Sequence, residues 1–139
     1  MAATAKTFSY AAALERDGRL SADGGRPANV PAGWKPEHFV LAGLLHCTLA
    51  SLRYHARRAG IDDVAAAGSA SGRVTKRAED ERYAFVDVEC SFDVALRPSP
   101  LPGALADLLA KAERDCFVGA SLTSTPRYSW TVNGRPVRP

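Results

Sequence analysis

Between Trp34 and Gly60 the chain reads WKPEHFVLAGLLHCTLASLRYHARRAG, and from Phe39 to Leu52 it offers water almost no polar face. Phe39, Val40, Leu41, Leu44, Leu45, Leu49 and Leu52, with Ala42, Gly43 and Ala50 between them, predict a long helix that is apolar all round. Such a helix has to be covered on every side. A domain of this size has little else to surround it with, so a second chain is expected to contribute. The ends carry helix-terminal chemistry. Pro36 suits the first position and Glu37 the first turn, while Arg53, His55, Arg57 and Arg58 cluster where cations are favoured and Gly60 stops the run.

Composition narrows the class. One domain spanning residues 1–139 is the expectation for 139 residues, and 46% hydrophobic content is enough for a core. The formal charge of +3 is modest and the arginines are spread along the chain, so no nucleic-acid partner is implied. The opening residues show no signal-peptide pattern and no run approaches a membrane span, from which a cytoplasmic protein with no membrane partner is expected. Three cysteines in a reducing compartment point to buried thiols, metal ligands or redox chemistry, not a disulfide framework.

Around the helix, Thr7 to Leu14 reads as a strand, Arg16-Asp17-Gly18 as a turn, and Arg19 to Ala22 as a second strand. Residues 26 to 35 form an extended connector with room for a short edge strand. Asp63 to Lys76 reads as another strand. Ala84 to Leu96 alternates most clearly, with Ala84, Val86, Val88, Cys90, Phe92, Val94 and Leu96 on an apolar face and Phe85, Asp87, Glu89, Ser91, Asp93 and Ala95 on the other. Cys90 therefore points into a core. Leu101, Leu105, Leu108, Leu109, Ala112 and Cys116 mark one face of a second helix. A last extended segment passes Val118, Ala120 and Leu122, resumes through Tyr128, Trp130 and Val132, and ends at an Asn133-Gly134 turn. The layout is α+β, in the order β-β-β-α-β-β-α-β, with mostly antiparallel sheets.

Two segments carry a resemblance. Pro36-Glu37 is followed, ten residues after the glutamate, by Cys47 inside an Ala/Gly/Leu helix; and Ala112-Glu113-Arg114-Asp115-Cys116-Phe117-Val118 places a second cysteine at the end of a later helix, 69 residues after the first. With the layout, this resembles the OsmC/Ohr family of organic hydroperoxide resistance and osmotically inducible proteins. The resemblance implies an intertwined homodimer, an antioxidant oxidoreductase of the oxidative stress response, and a cofactor-free peroxidase reaction. In it Cys47 is the peroxidatic thiol, Cys116 the resolving one, and a Cys47–Cys116 disulfide is reopened by a lipoyl-type or other dithiol.

The family's activating arginine lies in an Arg-Asp-Gly turn in the Ohr branch, which maps onto Arg16, and in the connector before Pro-Glu in the OsmC branch, which points to Arg26. Glu37 would orient the guanidinium. Glu37 and Cys47 stand about 15 Å apart along one helix, so a shared site draws Glu37 from the partner chain. The apolar helix favours bulky organic hydroperoxides as substrates. A second possibility is a catalytically silent dimer of the same fold that binds a small apolar or thiol ligand. A metal site is not expected: His46 and Cys47 diverge by about 100° on a helix, and no HxxxH or CxxC spacing accompanies His38, His46 and His55. The cationic cluster around His55 reads as a solvated helix end.

Overall fold

A computed structural model describes residues 5–137. The described residues form two compact units, one up to residue 35 and one from residue 36. In the first, β1 (Ala12–Leu14) and β2 (Leu20–Ala22) form an antiparallel hairpin. Gly18, at φ 90°, makes the turn with its N–H bonded to the Glu15 carbonyl at 3.0 Å. Both strands are shorter than the sequence suggests. The ladder ends at Ala22, where Asp23 and Gly24 adopt positive φ, and beyond it the Asp23 N–H donates to the Ala11 carbonyl at 2.8 Å. The expected third strand is a single bridge, Leu20 to Ala28, since Pro27 and Pro31 cannot donate to a ladder.

The second unit opens with α1 (Pro36–Arg58), which runs unbroken. Its buried stripe is Leu44, Thr48, Leu52 and Ala56, each four residues on from the last. Against it lie β3 (Asp63–Lys76), α2 (Pro102–Arg114) and the short α3 (Phe117–Ser121). Strands β3, β4 (Tyr83–Arg97), β5 (Arg127–Val132) and β6 (Arg135–Val137) form one sheet in chain order. The pairs β3–β4 and β5–β6 are antiparallel. The pair β4–β5 is parallel because α2 and α3 intervene and carry the chain back across the sheet. Asn133 and Gly134, both at positive φ, turn β5 into β6.

Alternation in β4 holds from Val88 to Leu96, whose apolar members are buried with Trp130 and Val132 of β5 and with Leu108, Leu109 and Ala112 of α2. At the other end a bulge intervenes. Arg73 pairs with Asp87 but Val74 pairs with Phe85, leaving Val86 as the extra residue. One extra residue reverses which face each following side chain takes. Phe85, expected on the wet face, therefore packs on the core side, where its ring lies over Gly72.

The Val118–Leu122 stretch is not extended: residues 117–121 are helical, and Ser121 Oγ donates to the Phe117 carbonyl at 2.8 Å. The second helix ends at Arg114, not at Cys116, and Leu101 lies before its start with its side chain exposed.

Candidate functional site

Cys47 is half-buried on the middle of α1, and Cys116 is fully buried at the start of α3. The Val118 N–H points to Cys47 Sγ at 3.5 Å, and the next amide, Gly119 N–H, points to Cys116 Sγ at 3.4 Å. Successive amides of one short helix thus receive sulfurs from two elements. Cys116 caps α3 with its sulfur, in the way that Ser or Asp oxygens cap ordinary helices, satisfying a donor with no partner inside the helix. This explains why a Phe-Val segment with strand-like composition turns helical.

The surroundings of the two thiols differ. Burial pushes the Cys47 thiol up, the Val118 amide opposes this, and the adjacent Cys116 sulfur adds to the rise, while the Phe117 amide lowers it. None of these groups is a cation. Cys116 instead accepts the Thr48 hydroxyl at 3.3 Å, and the Thr48 oxygen lies 3.1 Å from the Tyr128 hydroxyl. Burial raises the Tyr128 phenol well above its ordinary value, so it stays protonated. The third thiol, Cys90, is buried in β4 as expected, and burial first, then Cys116 and Glu113, lifts it to about 11. It is a protonated core side chain at neutral pH.

The other residues singled out from the sequence lie as follows. Glu37 is exposed in the first turn of α1; ten residues of unbroken helix put it about 15 Å along the axis from Cys47 of its own chain. Arg16 occupies the β1–β2 turn, and Arg26 the connector after β2; both are exposed. Asp17 of that turn is taken by Arg19, whose Nε donates to it at 2.8 Å. The end of α1 is not simply solvated. His55 is largely covered and shares a 2.7 Å hydrogen bond with Asp115, while Arg58 lies over the Tyr54 ring and Arg53 donates to the Val64 carbonyl. Thr48, Gly119 and Tyr128 belong to the thiol site, and sequence reading passed over all three. The one available signal was a threonine at a core position of α1. Among the described residues no three His, Cys, Asp or Glu side chains converge as metal ligands, and no helix is long and apolar enough to cross a membrane.

The fold and the thiol pair define an α+β protein whose central helix presents one cysteine to a second cysteine from a later helix. The OsmC-like protein family matches residues 27–131, and this chain belongs to that family. Its fold is similar to that of an OsmC-like protein of unknown function from Vibrio cholerae, with a TM-score of 0.71 at 17% identity, covering 91% of this chain and 99% of that one. An OsmC-like protein from Mycoplasma pneumoniae gives a TM-score of 0.67 at 17% identity, over 93% and 99% of the two chains. The organic hydroperoxide resistance protein OhrB of Bacillus subtilis gives 0.54 at 17% identity, over 92% and 98%. No curated protein matches this chain.

Proposed function

We propose that this protein is a cysteine-based peroxidase that reduces organic hydroperoxides. The observation that carries the reading is the pairing itself: a half-exposed thiol, Cys47, beside a fully buried one, Cys116, with adjacent amides of α3 on the two sulfurs. A peroxide reaches the first and not the second. Attack of the Cys47 thiolate on the O–O bond releases the alcohol and leaves a sulfenic acid, which Cys116 condenses with to form a disulfide and water. A dithiol of lipoyl or similar type would restore both thiols.

Two groups complete the proposed site. Since burial disfavours the Cys47 thiolate and no cation is among the groups acting on it, an arginine is required, Arg16 or Arg26, with Glu37 of a partner chain orienting it. Support for an apolar substrate comes from a concavity of about 250 Å³ lined by Ala42, Leu45, His46, Leu49, Ala66, Ala67, Gly68 and Phe92, on the flank of α1 next to the cysteine in sequence. The same concavity and the raised Cys47 thiol favour the second reading, a silent dimer that binds a small apolar or thiol ligand.

One equivalent of cumene hydroperoxide added to the reduced protein separates the two. Loss of two thiols per chain, mapped by non-reducing mass spectrometry to a Cys47–Cys116 link and abolished by Cys47→Ser, is the expected result. Survival of all three thiols in excess hydroperoxide would leave ligand binding as the function.

A further inference from the structure

Cys116 lies at the end of a chain of hydroxyl groups that thiol pairing alone does not require. Thr48 is the one polar residue among the fully buried described residues, on a stripe otherwise made of Leu44, Leu52 and Ala56. Valine would fill the same volume without burying a hydroxyl. That hydroxyl has a single proton. When the proton is directed to Cys116 Sγ at 3.3 Å, the donor across the 3.1 Å contact must be the Tyr128 phenol. The chain therefore has one direction, from Tyr128 through Thr48 to sulfur, and the Gly119 amide adds a second donor there.

The far end of this chain is fixed in place. The Tyr128 ring is stacked with those of Phe92 and Trp130, and the Trp130 indole N–H donates to Glu113 at 2.9 Å. Aromatic rings held this way do not swing out of reach.

We infer that Tyr128 and Thr48 are positioning residues for the resolving half of the reaction, aimed at the negative charge that passes through Cys116 Sγ as the disulfide forms and opens. The inference rests on the thiol chemistry proposed above. In closure, Cys116 Sγ attacks Cys47 Sγ, the S–O bond breaks, and the hydroxyl departs as water with the Cys116 thiol proton. In opening, an external dithiol attacks the sulfur it can reach, Cys47, and forms a mixed disulfide there. The S–S electron pair then passes to Cys116, which takes up the proton of the attacking thiol. Hydrogen bonds on the leaving sulfur speed that step.

The test compares wild type with Thr48→Val, Thr48→Ser and Tyr128→Phe, following disulfide closure by quenched alkylation and intact mass. Closure is driven in parallel by cumene hydroperoxide and by diamide, an azo oxidant that joins thiol pairs without peroxide chemistry. Each closure rate is divided by the rate at which Cys47 first reacts in the same protein. Donors on Cys116 Sγ raise its thiolate fraction more than they weaken the thiolate as a nucleophile, so that ratio is expected to fall severalfold in Thr48→Val and by less in Tyr128→Phe. Thr48→Ser, which keeps the hydroxyl, is expected to return it to near wild type. Wild-type closure in Thr48→Val would overturn the inference, and so would equal slowing in Thr48→Val and Thr48→Ser, which would mark packing alone. Should the wild type be inert to hydroperoxide while the diamide ratios follow the expected order, the inference stands and the peroxidase reading falls.

Discussion

A thiol attacks a peroxide as the thiolate, and burial, the largest influence on Cys47, favours the neutral form. The sign is definite: with only its own unit around it, Cys47 would gain reactivity as pH climbs past the ordinary thiol value. An arginine from elsewhere would move that rise toward neutrality. Iodoacetamide alkylation of Cys47 against pH, in wild type, Arg16→Ala and Arg26→Ala, identifies the residue. The activating arginine is the one whose loss shifts the profile upward and lowers the rate at pH 7. Unchanged profiles in both variants would remove the arginine from the mechanism. The burial of Cys90 and Cys116 was legible in the sequence, because apolar periodicity says which face of an element a side chain takes, whereas Cys47 stood out only through the family resemblance. Thr48 and Tyr128 were not legible, since their value lies in meeting across 80 positions of sequence.

Elements obey local rules until a neighbour overrides them, and the strands show both cases. Most of β4 follows from alternation, whereas the bulge at Val86 leaves no mark in composition and reverses Phe85. The segment 117–121 looks like a strand by side-chain type, but sulfur capping makes it a helix. Glycine placement in β3 shows how closely the sheet is covered. A Cβ on Gly68 would sit 2.8 Å from the Phe92 ring and 3.0 Å from the Ser91 carbonyl oxygen, whereas one on Gly103, in the first turn of α2, would meet nothing within 4 Å. Gly68→Ala is therefore expected to lower urea stability by about 1–3 kcal/mol, and Gly103→Ala to leave it unchanged or raise it by up to about 1 kcal/mol. Equal effects would contradict the packing described. The α1–α2 junction gives a second prediction. Arg114 first, and then His55, hold the Asp115 carboxyl down from 3.8 to about 2. Its stabilisation is present in full above the unfolded value and is lost as pH falls through about 2. Urea midpoints between pH 4 and pH 2 should drop more steeply in wild type than in Asp115→Asn. Since Asp115 is partly exposed, added salt should shrink the difference.

At the scale of the whole molecule, one chain leaves too much apolar surface in water. From residue 5 to residue 35 no side chain is buried, and Phe8, Tyr10 and Leu14 are each more than half exposed. A hairpin of three-residue strands does not persist on its own. On α1 the buried stripe takes one side, while Phe39 is exposed and Leu41, Leu45 and Leu49 are only partly covered. We propose that a second copy of the chain meets both needs, and that it also supplies the Glu37 that the unbroken helix holds away from Cys47. Light scattering at micromolar concentration should then give twice the 14.8 kDa of one chain. The stronger experiment mixes Cys47→Ser with Glu37→Ala after unfolding and joint refolding, each also assayed alone. If Glu37 serves the cysteine of the other chain, each mixed dimer regains one complete site, and hydroperoxide turnover returns to about a quarter of wild type at equal input. If Glu37 acts within its own chain, or not at all, mixing restores nothing beyond the sum of the parents, and the helix must then be covered for reasons of stability alone.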